Sequence, residues 1–98
     1  MIMMDIKAPE IYSEEANSVI ESDKIITITL SGDTFKIKDG IKELGFRWDG
    51  SSEWYYTVDR EWFKANGYIF VRKVAKAFKC RPNIIGAQAK AAVNTMDK

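Results

Sequence analysis

Apolar and polar positions alternate most regularly between Lys24 and Leu30, where Ile26, Ile28 and Leu30 interleave with Thr27 and Thr29. Period-two alternation in a run of β-branched residues predicts a half-buried strand over 24–30. The period changes after the turn Ser31-Gly32-Asp33. Ile37, Ile41 and Leu44 fall at i, i+4 and i+7, while Lys38 and Lys42 share another face, so a helix is expected over 36–44. Gly40 weakens that helix by about 1 kcal/mol relative to alanine. Gly45 is placed to stop it in the left-handed conformation. The period then returns to two, and residues 46–49 pair with 53–58 as a hairpin around Asp49-Gly50-Ser51-Ser52. Phe46 and Trp48 share a face, as do Trp54 and Tyr56, while Arg47 and Tyr55 point the other way. One aromatic layer can therefore cover the apolar side of the helix.

The flanking segments carry weaker patterns. Residues 1–12 read as irregular, with Pro9 breaking any early helix. Ser13 followed by Glu14 and Glu15 has the form of a helix start, a hydroxyl that can cap free amides and then acids in the positive first turn. With Ala16, Val19 and Ile20 as its apolar side, a helix is expected over 13–22. Asp59 can cap a short helix over 59–66 containing Trp62 and Phe63, with Asn66-Gly67 as its stop. Tyr68-Ile69-Phe70-Val71 has strand propensity, so a strand is expected over 68–72. Val71, Val74, Ala75 and Phe78 then sit at helical spacing up to the break at Pro82. Gly86 to Met96 is alanine-rich and reads as a final helix or a frayed end. The expected fold is α+β in a single domain spanning 1–98. A small antiparallel sheet (strand 24–30, hairpin 46–58, strand 68–72) packs on helices 13–22, 36–44 and 59–66, with 1–12 and 86–98 as flexible tails.

Composition narrows the chemistry. Ninety-eight residues with 46% hydrophobic content suit one domain of modest stability. The chain has one cysteine, Cys80, so no internal disulfide can form; a reducing, cytoplasmic setting is expected. No apolar run approaches the roughly 20 residues of a membrane span, and the opening Met1-Ile2-Met3-Met4 lacks the pattern of a signal peptide. Histidine is absent, which removes the commonest general base and the commonest zinc ligand. No phosphate-binding glycine loop and no nucleophile elbow occur. Asp49, Glu53 and Asp59 are conceivable metal ligands, but acids around a hairpin are more often solvated turn residues. The expectation is a protein without catalytic residues, metal or cofactor.

The net charge of +1 hides a gradient. Residues 1–33 carry −5, residues 34–58 balance, and residues 59–98 carry +6. Either the basic end meets a polyanion, the two ends attract each other in the fold, or the asymmetry has no role. Arg72, Lys73, Lys76, Lys79 and Arg81 occur within ten residues that hold no acid. On a helix, Arg72, Lys76 and Lys79 would form one ridge, suited to phosphate backbones or to solvent. Trp48 and Trp54 are read first as the lock between helix and hairpin. Arg47 and Tyr55, on the other face, are candidates for a functional surface.

The run Thr34-Phe35-Lys36-Ile37-Lys38-Asp39, then Leu44-Gly45-Phe46-Arg47-Trp48-Asp49, then Trp54-Tyr55 resembles a small strand–helix–hairpin module. Modules of this kind recur in phage, plasmid and other DNA-processing proteins. The arrangement is similar, more loosely, to the domain attached to annealing helicases of the HARP type. The resemblance covers about residues 25–66 and implies nucleic-acid-linked biology of mobile-element origin; it brings no catalytic set. The first functional expectation is a small protein that binds DNA or RNA, single strands favoured, with no membrane association. Lys38, Lys42, Arg47, Arg72, Lys73, Lys76, Lys79 and Arg81 would contact phosphates, and Tyr55, with Trp54 beside it, would stack on bases. The alternative is a phage-encoded inhibitor of a host defence or nucleic-acid-processing complex, presenting Glu14, Glu15, Glu21 and Asp23 on an acidic helix. A homodimer fits a domain of this size.

Overall fold

The alternation over 24–30 forms a strand as expected, and strands also fill the residues before it. In a computed structural model, which describes residues 1–97, the elements are β1 (Ile2–Lys7), β2 (Glu10–Ser13), β3 (Ser18–Glu21), β4 (Ile25–Gly32), a 3-10 turn (Phe35–Ile37), α1 (Lys38–Glu43), β5 (Arg47–Trp48), β6 (Glu53–Asp59), α2 (Arg60–Phe78), β7 (Pro82–Ile85) and α3 (Ala87–Asn94). Five strands form one sheet in the order β5-β6-β4-β1-β7, and β2 pairs only with β3. Neighbours are antiparallel except β1 and β7, which run parallel. The fold is α+β.

Ile26, Ile28 and Leu30 of β4 are fully buried and sit opposite Val58, Tyr56 and Trp54 of β6 on one side, and Ile6 and Met4 of β1 on the other. This inner face packs against Ile41 of α1, Phe63, Val71 and Val74 of α2, and Ala89 and Ala92 of α3 in one core cluster. The outward strand residues stay out of that cluster. One outward row crosses all five strands, from Arg47 through Tyr55, Thr29 and Asp5 to Asn83. The protein is thus two-layered, with helices on one side of the sheet.

Helix α1 and the β5–β6 hairpin form where the periodicity places them. Gly45 adopts φ +100, and a Cβ there would sit 2.9 Å from the Tyr56 ring. It therefore ends the helix and lets the hairpin aromatics close over it. Phe46, Tyr56 and Phe70 pack together, with centroids 5.3 Å apart for Phe46–Tyr56 and 4.7 Å for Tyr56–Phe70. Trp62 meets Phe70 edge-on at 5.8 Å. These rings fasten α2 to the hairpin.

Four expectations are corrected. Residues 13–22 are not a helix but the ribbon β2–β3. The Ser13 hydroxyl does accept the Ala16 N–H at 3.2 Å, as a helix cap would, but Asn17 turns left-handed at φ 50 and sends the chain back. Residues 1–12 are not irregular: β1 lies inside the sheet, with Met4 and Ile6 buried, and Pro9 falls after it. The helix expected over 59–66 runs on to Phe78, and no strand forms over 68–72. Phe63, Gly67, Val71 and Val74 make one buried helical face, which overrides the strand propensity of 68–71. Gly67 is no stop; a Cβ on it would lie 2.8 Å from the Phe63 ring and 3.0 Å from Met96 Sδ, so glycine permits close packing there. At the other end, 87–94 form α3, and Lys98 lies outside the described residues.

Candidate nucleic-acid interface

The nine residues singled out from sequence fall into three places. Arg47 and Tyr55 are cross-strand partners on the outward face of the sheet, with Arg47 exposed and Tyr55 half-buried. That face carries both signs. Asp5 stands in the same row and accepts a hydrogen bond from Asn83 at 3.3 Å, and Glu53 pairs with Lys7 at 3.9 Å. Its central Thr29 is only 2% exposed. A face of mixed charge offers little to a polyanion.

Arg72, Lys73, Lys76, Lys79 and Arg81 are all exposed at the far end of α2 and just beyond it. The buried Val71 and Val74 lie on the opposite side of the helix, as their spacing requires. Arg72 leans back on Tyr68, its guanidinium 5.5 Å from the ring, and donates to the phenol oxygen at 3.3 Å. Lys79 closes the helix in the left-handed conformation, φ 52, with the Cys80 N–H donating to the Ala75 carbonyl at 3.1 Å. Half-burial pushes the Cys80 thiol up from its ordinary range, which disfavours the reactive thiolate.

Lys38 and Lys42 line a third place, a groove of about 470 Å³ together with Gly32, Asp33, Thr34, Phe35, Trp48 and Trp54. They are one helical turn apart, so both side chains lie along the same wall. The other side of α1 is turned to α2, where Gly40 approaches Phe78. Phe35 is 78% exposed and Trp48 45% exposed, although both are large rings. The groove floor is firm. Trp54 is buried, its indole N–H donates to Thr34 Oγ1 at 3.3 Å, and its ring meets Trp48 at 5.3 Å, tilted by 55°. Lys38 Nζ sits 4.4 Å from the Phe35 ring centroid, a cation–π contact that holds both side chains at the rim. Asp33 is the groove's acid. The Met1 amine lies 2.7 Å from its Oδ2, and that hydrogen bond and charge hold the carboxyl below its ordinary range.

The groove therefore brings Lys38 and Lys42 together with two exposed rings, Phe35 and Trp48, that the sequence reading did not place at a site. Trp48 shares the inward face of the hairpin, as its alternation requires, but β5 is the sheet edge and α1 stops short of covering it. Phe35 precedes the apolar stripe of α1, a signal that it lies outside the packed side. Trp54, expected beside Tyr55 as a stacking ring, is floor rather than rim.

The acids divide differently from expectation. No acidic helix forms over 13–22, so Glu14, Glu15, Glu21 and Asp23 belong to the ribbon and its root. Glu21 accepts the Gln88 N–H at the start of α3, at 2.9 Å. Among the described residues, no ion pair joins an early acid to a late base. Asp49 closes the β5–β6 turn, with Oδ1 accepting the N–H groups of Ser51, Ser52 and Glu53. These bonds, led by that of Ser51, hold its carboxyl below the ordinary range. Asp49, Glu53 and Asp59 form no metal-binding group among the described residues. No helix among these residues is long and apolar enough to cross a membrane. Comparison of the chain with protein-family models, curated proteins and solved structures found no match.

Proposed function

We propose that this protein binds single-stranded nucleic acid in the groove between α1 and the edge of the hairpin. The observation that carries this reading is the exposure of Phe35 and Trp48 in one groove with Lys38 and Lys42. Exposed flat rings beside cations suit unpaired bases joined by phosphates, because every base has a stacking face and every linkage a negative charge. The rings of Phe35 and Trp48 receive bases, and the two ammonium groups neutralise adjacent phosphates. The buried Trp54 and the Thr34 hydroxyl fix the floor, so little ordering cost falls on binding. The resemblance of 25–66 to modules of mobile-element DNA-processing proteins supports the same reading. The phosphate contacts thus narrow to two of the eight cations, and the sheet-face pair Arg47 and Tyr55 is left outside the site.

Fluorescence anisotropy with labelled single-stranded DNA and RNA oligonucleotides at low and high salt tests the proposal. Each stacked base contributes about 1–3 kcal/mol, so Phe35→Ala and Trp48→Ala should each weaken binding roughly 5- to 150-fold. Losing Lys38 and Lys42 together should reduce the salt slope by about 1.4, at about 0.7 per phosphate contact on single strands. Arg47→Ala should leave affinity nearly unchanged. No binding at low salt, or full affinity in the Phe35→Ala and Trp48→Ala proteins, would discard the groove.

A further inference from the structure

The ribbon β2–β3 leaves four large apolar side chains exposed within eight strand residues. Ile11 pairs with Ile20 across one face and Tyr12 with Val19 across the other, and all four are exposed, Tyr12 to 61% and Val19 to 59%. A two-stranded ribbon is marginal by itself in water, and these side chains add nothing to the core. Its root is nevertheless held. Ser22 N–H donates to the Pro9 carbonyl at 2.8 Å, the Ser22 hydroxyl accepts from Lys24 N–H and Ile25 N–H, and Glu21 is tied to α3. The ribbon is held out from the body.

Charge tells what would cover it. Residues 10–23 hold Glu10, Glu14, Glu15, Glu21 and Asp23 and no base. The ribbon continues from the Lys7 end of β1. The basic run lies at the other end of the molecule. Helix α2 starts beside the ribbon's root, where the Arg60 N–H donates to the Lys24 carbonyl at 2.8 Å. Its 19 residues carry the chain about 28 Å away, at 1.5 Å per residue. There Lys79 and Arg81 border a depression of about 510 Å³ with Ile2, Met3 and Ala75. Met3 is exposed at its edge. One pole of a molecule 44 Å long is thus acidic with exposed apolar side chains, and the other is basic with an apolar depression.

We propose that the ribbon of one copy docks head to tail on the basic pole of a second copy. Glu14 and Glu15 at the tip face Lys76, Lys79 and Arg81, and Tyr12 and Val19 cover Met3 and the depression. A two-fold dimer of ribbon against ribbon would set the same five acids against themselves, so charge selects the heterologous contact. A contact of that type repeats from copy to copy, closing into a ring or extending as a chain. The depression adjoins the nucleic-acid groove through Met1, whose amine pairs with Asp33, but the contact between copies rests on its own observations of charge and exposed apolar side chains.

Sedimentation velocity of the full chain, stripped of nucleic acid, tests it over a concentration series at low and high salt. The weight-average mass should rise with concentration at low salt and return to that of one chain at high salt. Glu14→Lys with Glu15→Lys, and separately Lys76→Glu with Arg81→Glu, should each stay monomeric. Mixing the two variants should restore association, because each ribbon then meets a pole of opposite sign. All four positions are exposed, and circular dichroism of each variant should match the parent protein. A single-chain mass at every concentration would overturn the proposal, and so would association that survives in both variants alone. Association seen only when single-stranded nucleic acid is added would overturn it too.

Discussion

The protein contains two hairpins built by similar local chemistry and put to different use. Both turn through four residues, 14–17 in the ribbon and 49–52 between β5 and β6. In each, a side-chain oxygen just before the reversal takes the free amides: Ser13 for Ala16, and Asp49 for Ser51, Ser52 and Glu53. The β5–β6 hairpin lies over α1 and α2, with Phe46 and Trp54 buried. The β2–β3 ribbon meets only the start of α3 at its root, and Ile11, Tyr12, Val19 and Ile20 remain exposed on its two faces. Turn chemistry is enough to make a hairpin; stability comes only where a second layer covers it. Apolar side chains left uncovered are available to a partner. Trp48 stands at the boundary of the two cases, on the covered hairpin but itself 45% exposed, and Phe35 of the 3-10 turn is exposed beside it in the same groove.

Trp54→Ala tests this contrast with the largest expected effect. Trp54 is buried and bonded to Thr34, so its loss leaves a cavity and should destabilise the protein by about 3–5 kcal/mol. Urea unfolding followed by circular dichroism measures it. A loss below 1 kcal/mol would mean that the hairpin is no better supported than the ribbon. Gly45→Ala ranks next. Alanine at φ +100 costs about 1–2 kcal/mol for the left-handed backbone, and the 2.9 Å approach to Tyr56 adds about 1–3 kcal/mol of overpacking. Gly50→Ala, at φ +90 with open space around it, should show the backbone part alone. Equal effects at the two glycines would show that Tyr56 yields freely.

The covered hairpin was the legible part of the chain, and the reason is physical. Over 24–58, local periodicity and tertiary burial agree: Ile26, Ile28 and Leu30 alternate and are buried, Ile37, Ile41 and Leu44 share a helix face, and Gly45 stops it. The ribbon was misread because its local signal is ambiguous. A serine followed by two acids suits the mouth of a helix and the mouth of a turn alike, and no buried stripe arbitrates. Helix α2 was cut short for the opposite reason. Asn66-Gly67 and Tyr68–Val71 carry stop and strand signals that packing overrules, since Phe63, Gly67, Val71 and Val74 must face the core together. Strand β1 lies in a segment that reads as irregular, because Pro9 breaks a helix and three alternating apolar residues, Ile2, Met4 and Ile6, are too short a run to announce a central strand. Of the groove, Lys38 and Lys42 were legible from spacing. Phe35 and Trp48 were not, because exposure at a sheet edge depends on where α1 ends in space.

The acceptor that closes the covered hairpin is a carboxylate, and it gives that turn a pH signature. Asp49 is held below the ordinary carboxylate range by three backbone N–H donors, whereas Ser13 has nothing to titrate in acid. A depressed folded-state pKa gives a contribution fully present above the unfolded value and lost as pH falls through the folded one. The parent protein should therefore lose stability on acidification through and below the usual aspartate range. Asp49→Asn keeps an Oδ1 acceptor but no titrating carboxyl, so its unfolding midpoint should change less with pH over that window. Matching pH profiles for the two proteins would show that these bonds do not favour the ionised form. The effect should be smaller than that of either core substitution, because Asp49 is open to solvent.

The smallest expected change lies in the ribbon itself, and its smallness is what sharpens the contrast. Val19→Thr with Ile20→Thr keeps β-branched shapes on exposed strand positions and replaces one methyl-bearing surface on each face. With no covering layer, each substitution should alter unfolding free energy by no more than about 0.5 kcal/mol, measured at low protein concentration and high salt, where copies do not meet. The same pair should weaken the concentration-dependent rise in mass at low salt, since the apolar contact across copies is then reduced. A loss of 2 kcal/mol or more in the isolated chain would place the ribbon within the cooperative core, and the two hairpins would then differ in exposure without differing in support.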